Sequence, residues 1–255
     1  MKSVTNPVLL LDHAGRACSV SVVDPTGRVL AERIQPEPQR QAEDLALMVS
    51  ECIQEAGMQV RDLAAIACQR GPGSYTGLRI GAALAQGLAL PYDLPLVGVC
   101  TLESMVYAHA MQAGLQPLGT SEGPTYWVPM IDARRDEVYT GQYSVEVKEN
   151  QFFPRLQVWQ EAHPCVLDDK FLIKFQNKKV CFVGDGVAKW HNSILNNGYL
   201  DKWKLANFVF DFDIVSSMWY GLVSNSLESG EYKAPSRLVV DYRKSFFGTT
   251  FGSLT

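Results

Sequence analysis

Val8-Leu9-Leu10-Leu11-Asp12-His13-Ala14-Gly15-Arg16-Ala17-Cys18-Ser19-Val20-Ser21 opens on four apolar residues, closes them with an aspartate, turns, and resumes an apolar–small alternation. That pattern predicts a buried strand, a tight turn and a second strand. The same order returns at Val128-Pro129-Met130-Ile131-Asp132, followed by the turn Ala133-Arg134-Arg135-Asp136 and then Glu137-Val138-Tyr139. Asp12 and Asp132 stand 120 positions apart (132 − 12), so each half of the chain opens on a strand–Asp–turn–strand unit. A duplicated α/β fold with one mixed sheet in each half is the expectation.

Working outward, Asp24-Pro25-Thr26-Gly27 is a turn signal that joins the strand Cys18–Val23 to a third strand over Arg28–Ile34. Helical spacing of Leu45, Met48, Val49, Cys52 and Ile53 predicts a helix over Gln41–Ala56, stopped by Gly57. A short apolar run, Leu63–Cys68, reads as a parallel strand. A helix from Ser74 to Leu90 follows and is halted by Pro91, and then come a strand over Leu96–Val99 and a helix over Leu102–Met111 capped by Thr101. The polar, Gly/Pro/Ser-rich stretch 112–124 places a boundary, with domains at 1–111 and 112–255. In the second half the reading continues with a hairpin of Trp127–Ile131 and Glu137–Val147. Helices near Asp168–Gln176 and Val187–Asn196 flank a strand at Val180–Val183. A helix over Ile214–Leu227, ended by Gly230, is free to pack back on the first domain, and a last short strand spans Leu238–Tyr242.

Composition narrows the function classes. Hydrophobic residues are 47% and charged residues 20% of the 255, enough to build a core without staples. The six cysteines show no C-x-x-C spacing, so buried, reduced thiols are expected rather than a zinc knot or a disulfide framework. The start of the chain does not read as a signal peptide, and no stretch approaches the roughly 20 apolar residues of a membrane span. A cytoplasmic protein with no membrane partner is expected. The net charge is −4 and basic residues cluster only as Arg134-Arg135, Lys178-Lys179 and Arg243-Lys244. Because nucleic-acid affinity rests on neutralised phosphates, this chain is not expected to supply the main nucleic-acid surface of any assembly.

The segment Arg70-Gly71-Pro72-Gly73-Ser74-Tyr75-Thr76-Gly77-Leu78-Arg79-Ile80-Gly81 carries the most specific information. It lacks the closing Gly-Lys-Ser/Thr of a Walker A loop and the spacing of G-x-G-x-x-G. Gly71-Pro72-Gly73 makes a sharp turn, and Ser74 caps the helix that follows. Each glycine inside that helix costs about 1 kcal/mol relative to alanine, so Gly77, Gly81 and Gly87 call for a reason. Gly77, Gly81 and Ala85 lie on one stripe, with Ala82 beside it. Three readings stand side by side: close packing of the helix on its own sheet, close contact with a partner chain, or an anion site at the helix N-terminus with Arg79.

The same residues resemble a known family. R-G-P-G-S-[FY]-T-G-x-R-I-G is the signature of the TsaB (YeaZ) family, and Arg70–Gly81 matches it. Ala85-Gln86-Gly87-Leu88-Ala89, Val97-Gly98-Val99-Cys100-Thr101-Leu102, Ile131-Asp132-Ala133-Arg134-Arg135-Asp136-Glu137-Val138-Tyr139 and Val183-Gly184-Asp185-Gly186 are similar to further stretches of that family. The similarity covers about residues 7 to 190, with Tyr242-Arg243 resembling a terminal Y-L-R. Two positions depart from it: His13-Ala14 stand where Thr-Ser or Thr-Ala usually follows the first aspartate, and Gln41 stands where a histidine usually opens the first helix. The resemblance implies two actin-like (ASKHA, RNase H-like) subdomains, each a mixed sheet flanked by helices, with Asp12, Asp132, Gly184 and Gly186 around a residual nucleotide cleft.

By the same resemblance, this is a non-catalytic subunit of the complex that makes N6-threonylcarbamoyladenosine (t6A) on tRNA. It would dimerise with and support a TsaD-like transferase, in company with a TsaE-like P-loop ATPase, and form a homodimer when alone. No intrinsic cofactor is implied; ATP and metal belong to the partner subunits, and tRNA is met only through the complex. The metal-holding H-x-x-x-H pair of the catalytic paralogue has no counterpart, because among His13, His109, His163 and His191 no two are four apart. The implied contact helices are Gln41–Ala56 and Ser74–Leu90, with Leu45, Met48, Cys52, Tyr75, Leu78, Arg79, Ala82 and Gln86 as expected interface residues and Gly71, Gly73, Ser74, Gly77 and Gly81 as the signature turn. The alternative is a nucleotide-binding enzyme of the same fold with weak ATPase or glycoprotease-like activity. Against it, the bulky, charged Ala133-Arg134-Arg135-Asp136 follows the second aspartate, where a phosphate loop needs small residues.

Overall fold

The apolar run Val8–Asp12 (β1) forms the middle strand of the first sheet of a computed structural model, which describes residues 5–37, 40–114, 125–147, 152–166, 171, 174–175, 178–189, 205–210 and 214–241. Every residue of β1 is buried, as befits a strand covered on both faces. Cys18–Val23 (β2) pairs antiparallel with it, and Val29–Gln35 (β3) continues the meander through a turn in which Asp24 Oδ1 accepts from the Thr26 and Arg28 amides at 2.9 and 3.1 Å. Helix α1 (Gln41–Glu55) then crosses over to Ala65–Gly71 (β4), which lies parallel to β1 on its other side. Helix α2 (Tyr75–Ala89) crosses to Leu96–Cys100 (β5), parallel to β4. The order β3-β2-β1-β4-β5 results.

The second sheet repeats the winding. Tyr126–Asp132 (β6) is its middle strand, Glu137–Glu146 (β7) and Arg155–Val166 (β8) form the antiparallel meander, and Val180–Val183 (β9) and Ala206–Val209 (β10) add the parallel side, in the order β10-β9-β6-β7-β8. Strand for strand, β6 to β10 stand where β1 to β5 stand, so the repeat seen in two short segments extends to the whole topology. The sequence reading missed β8 and β10. Its helices at Asp168–Gln176 and Val187–Asn196 fall largely outside the described residues.

Helix α3 (Thr101–Gln112) lies between the sheets. Leu102, Met105, Val106 and Ala110 join a core with Trp127, Tyr143, Val145, Ala162 and Cys181 of the second sheet. The 111/112 boundary therefore falls at the end of a helix that the second sheet covers. The chain then returns to the first sheet: the 3-10 turn Ser216–Trp219 and helix α4 (Tyr220–Ser229) pack Trp219, Tyr220 and Val223 onto Val8, Leu10, Val23, Ala67 and Val99. Gly230 ends α4 in the left-handed conformation (φ 78°) that its missing Cβ permits. Two expectations need correction. Thr101 is the first helical residue of α3 and Cys100 takes the cap position without a side-chain bond. Of the strand expected over Leu238–Tyr242, Tyr242 lies outside the described residues, and Leu238–Asp241 forms no ladder strand but follows a short 3-10 turn, Pro235–Arg237, along α2 and β4. Five cysteines are buried, Cys165 is half-buried, and all six are free; burial pushes the Cys68 and Cys181 thiols up to about 12. Among the described residues no helix is long and apolar enough to cross a membrane.

Candidate functional site

The parallel register Leu11↔Cys68 carries Asp12 to the same level as Gln69, at the C-terminal ends of β1 and β4. There Gln69 Nε2 donates to Asp12 Oδ2 and to Ser104 Oγ of α3, both at 3.0 Å, and Gln69 Oε1 accepts from the His13 and Ala14 amides at 3.2 and 3.0 Å. Trp219 Nε1 adds a donor to Asp12 Oδ2 at 3.3 Å. Asp12 is 3% exposed, and burial raises its carboxyl to about 7 against the opposing pull of the Trp219 and Gln69 bonds. The aspartate expected to face a nucleotide cleft is thus enclosed and committed to the protein's own donors.

His13 lies next to it, and burial lowers its imidazole to about 4. Its ring rests on α2 where Gly81 has no side chain, and a Cβ at Gly81 would overlap it. A Cβ at Gly77 would overlap the His13 carbonyl, and one at Gly73 would come within 2.5 Å of the Ala14 carbonyl. The Ser74 amide donates to Ala14 O at 2.8 Å, while Ser74 Oγ caps the Gly77 amide at 3.2 Å. The glycine stripe is therefore filled from inside by the β1–β2 turn. Of the three readings, close packing within the chain accounts for Gly73, Gly77 and Gly81, and the stripe itself is not an outward contact surface.

The same burial corrects the choice of outward residues. Leu45, Met48 and Cys52 of α1 and Leu78 and Ala82 of α2 lie in the core under the first sheet. Of the eight residues read as an interface, Tyr75 and Arg79 are exposed and stacked on one another, with the guanidinium carbon 3.9 Å from the ring centroid, and Gln86 is half-buried. The outward face carries Ala46, Leu47, Ser50 and Gln54 on α1 and Tyr75, Arg79, Ala83 and Gly87 on α2, with Leu47 58% exposed.

At the second sheet, Asp132 comes together with the turn after β9. Its amide donates to Asp185 Oδ1 at 2.9 Å, and the Gly186 amide donates to Met130 O at 3.0 Å. A Cβ at Gly184 or Gly186 would press on Met130, so both glycines serve a close backbone approach. Lys189 Nζ bonds Asp132 Oδ1 and the Arg135 carbonyl, and the Arg134 amide donates to Asp132 Oδ1 at 2.6 Å. Although partial burial works the other way, the Lys189 and Arg134 bonds hold the Asp132 carboxyl below its ordinary value. The ion pair at this turn is made by Lys189 with Asp132, and Arg134 and Arg135 contribute backbone groups to it. Helix α3 reaches both sites: Ser104 joins the Asp12 network and the Met105 methyl abuts Gly184. Gln69, Ser104 and Trp219 were not singled out in the sequence. A polar residue closing the apolar run Ala65–Cys68 was the available signal for Gln69.

Residues 29–194 match the family model described as TsaD, tRNA N6-adenosine threonylcarbamoyltransferase. The tRNA threonylcarbamoyladenosine biosynthesis protein TsaB of Escherichia coli K12 is 38% identical over 136 residues, 53% of this chain and 54% of the relative. Its Haemophilus influenzae namesake is 32% identical over 194 residues, 72% and 73% of the two chains. The chain thus spans about half the length of the Escherichia coli relative. The solved structure of YeaZ from Pseudomonas aeruginosa superimposes with a TM-score of 0.67 at 25% identity, over 93% of this chain and 99% of that one. Two like-wound five-stranded sheets joined through α3 define a two-sheet α/β protein of the YeaZ shape. The chain belongs to the TsaB (YeaZ) family.

Proposed function

We propose that this chain is a non-catalytic subunit of the machinery that makes N6-threonylcarbamoyladenosine on tRNA, acting by dimerisation with a TsaD-type transferase. The observation that carries the reading is Asp12: its carboxylate accepts from Gln69 and Trp219 inside the protein, so the position from which an actin-like enzyme would work on a nucleotide is spent on structure. Family membership supports the pathway. The outward face of α1 and α2 supports the mode of action, because the two helices pack side by side and present Leu47 and Tyr75 among small residues. A specific interface commonly buries about 1,600 Å² in total, which two such helices per partner can supply. ATP and metal belong to the transferase and to a P-loop ATPase, tRNA is met through the complex, and the same helical face makes a homodimer when the partner is missing.

Light scattering of the chain mixed with the transferase from the same source tests this. The wild type is expected to form a heterodimer. Ala83→Arg, on the outward face, is expected to abolish it with folding stability unchanged to within about 0.5 kcal/mol. Ala82→Arg, one residue away but buried, is expected to destabilise the fold itself. A wild type that never pairs, or an Ala83→Arg variant that pairs normally, overturns the dimerisation. Robust ATP turnover with Mg²⁺ by the isolated chain overturns the non-catalytic reading.

A further inference from the structure

The segment Lys233–Asp241 runs back across the first sheet and closes on the signature turn. At its start, Leu96 and Lys233 exchange both backbone bonds, Leu96 N to Lys233 O at 3.0 Å and Lys233 N to Leu96 O at 2.8 Å, on the open edge of β5. In its middle, Leu238 is 9% exposed, fills the space left by Gly98, and its carbonyl accepts from Gln86 Nε2 of α2 at 3.2 Å. Val239 points outward and Val240 packs inward. At its end, the Asp241 amide donates to Arg70 O at 2.7 Å, and Arg70 Nη1 meets Asp241 Oδ2 at 3.2 Å. Gly71 completes the seat: it has φ +115°, and a Cβ there would lie 2.7 Å from the Asp241 carbonyl.

We infer that Lys233–Asp241 is a strap with an ionic clasp, that Arg70 and Gly71 of the signature are its seat, and that its seating fixes the position of α2 for the partner. Arg70 and Gly71 lie just before α2, and neither belongs to its outward face, so partner contact does not account for them. The strap bonds α2 in its fourth turn through Gln86 and, through Arg70, the end of β4 that leads into it. Its clasp is made by two charged side chains, Arg70 and Asp241. Both are about one-third exposed, so salt weakens it. The strap's link to partner capture rests on the dimerisation proposed above.

Hydrogen exchange at the Leu96, Lys233 and Asp241 amides of the whole chain reads the strap, and titration with the transferase reads the coupling. Arg70→Gln is expected to speed exchange at Lys233 and Asp241 about two- to fivefold, the range for a partly exposed ion pair, and about 1 M salt is expected to do the same to the wild type. The exchanged pair Arg70→Asp with Asp241→Arg is expected to restore slow exchange. Affinity for the transferase is expected to fall by a similar factor in Arg70→Gln and return in the exchanged pair. Unchanged exchange in Arg70→Gln overturns the strap. Faster exchange with unchanged affinity overturns its coupling to the partner. A wild type that binds no transferase overturns the proposed function instead, while the exchange rates still decide the strap.

Discussion

Asp12 and His13 are neighbours in the chain, both are buried, and they respond to pH with opposite signs. In the fold Asp12 is raised to about 7, so it favours the protonated form, and its contribution is full below the unfolded carboxyl value near 3.8 and lost as pH rises to about 7. His13 is lowered to about 4, so it favours the neutral form, and its contribution is present above 6.5 and lost as pH falls toward 4. Between about pH 4 and 7 the two slopes oppose each other. Wild-type thermal stability is therefore expected to vary little from this pair across that window. Asp12→Asn should unmask a stability that rises with pH, and His13→Asn one that falls, each by several kcal/mol at most. Melting curves of the three proteins from pH 4 to 7.5 check this, and parallel curves would refute the assignment. The aspartate was legible from its place at the end of an apolar strand. Its enclosure was not, because Gln69 and Trp219 reach it from 57 and 207 positions away (69 − 12, 219 − 12) and Ser104 holds Gln69 from 35 positions further on (104 − 69).

At the scale of the element, α2 separates two kinds of helical glycine. Gly81 holds the His13 ring against the helix, whereas among the described residues nothing lies within 4 Å of a Cβ at Gly87. Gly81→Ala is expected to destabilise by about 2 kcal/mol or more through overpacking, and Gly87→Ala to stabilise by about 1 kcal/mol through helix propensity. Denaturant titration of both variants decides it; equal effects would mean that the stripe does no packing work. Sequence spacing placed α1, α2 and most strands within a residue or two. It misjudged the outward face, because helical apolar periodicity marks the side that seeks apolar surroundings, and the chain's own sheet already supplies them for Leu45, Met48, Cys52 and Leu78. Strand β8 was missed because it is an edge strand with both faces partly exposed and with register shifts opposite it in β7, so its alternation is weak. Its place, like that of β10, follows from the repeat once β6 and β7 are matched to β1 and β2. Leu238–Val240 shows the alternation of a strand, and that misled, since among the described residues the segment bonds the sheet's backbone only at its ends, through Lys233 and Asp241.

At the scale of the molecule, the 3-10 turn Ser216–Trp219, which leads into α4, ties the later part of the chain back to the first sheet. Trp219 is fully buried against the first sheet and bonded to Asp12, and Ser216 N donates to Ser19 Oγ at 2.8 Å beside it. Trp219→Ala is expected to cost about 3–5 kcal/mol and to lower the melting temperature of the whole chain. Calorimetry showing a loss confined to a second, separate transition would contradict that tie. By itself the sequence determined the strand–Asp–turn–strand repeat, the crossover helices and the signature turn, because each rests on local periodicity, turn chemistry or short motifs. The tertiary structure alone decided what those parts face. Burial and hydrogen bonding are set by residues far apart in the chain, and through them the glycine stripe closes on His13, the first aspartate is sealed under Trp219, and Arg70 holds Asp241.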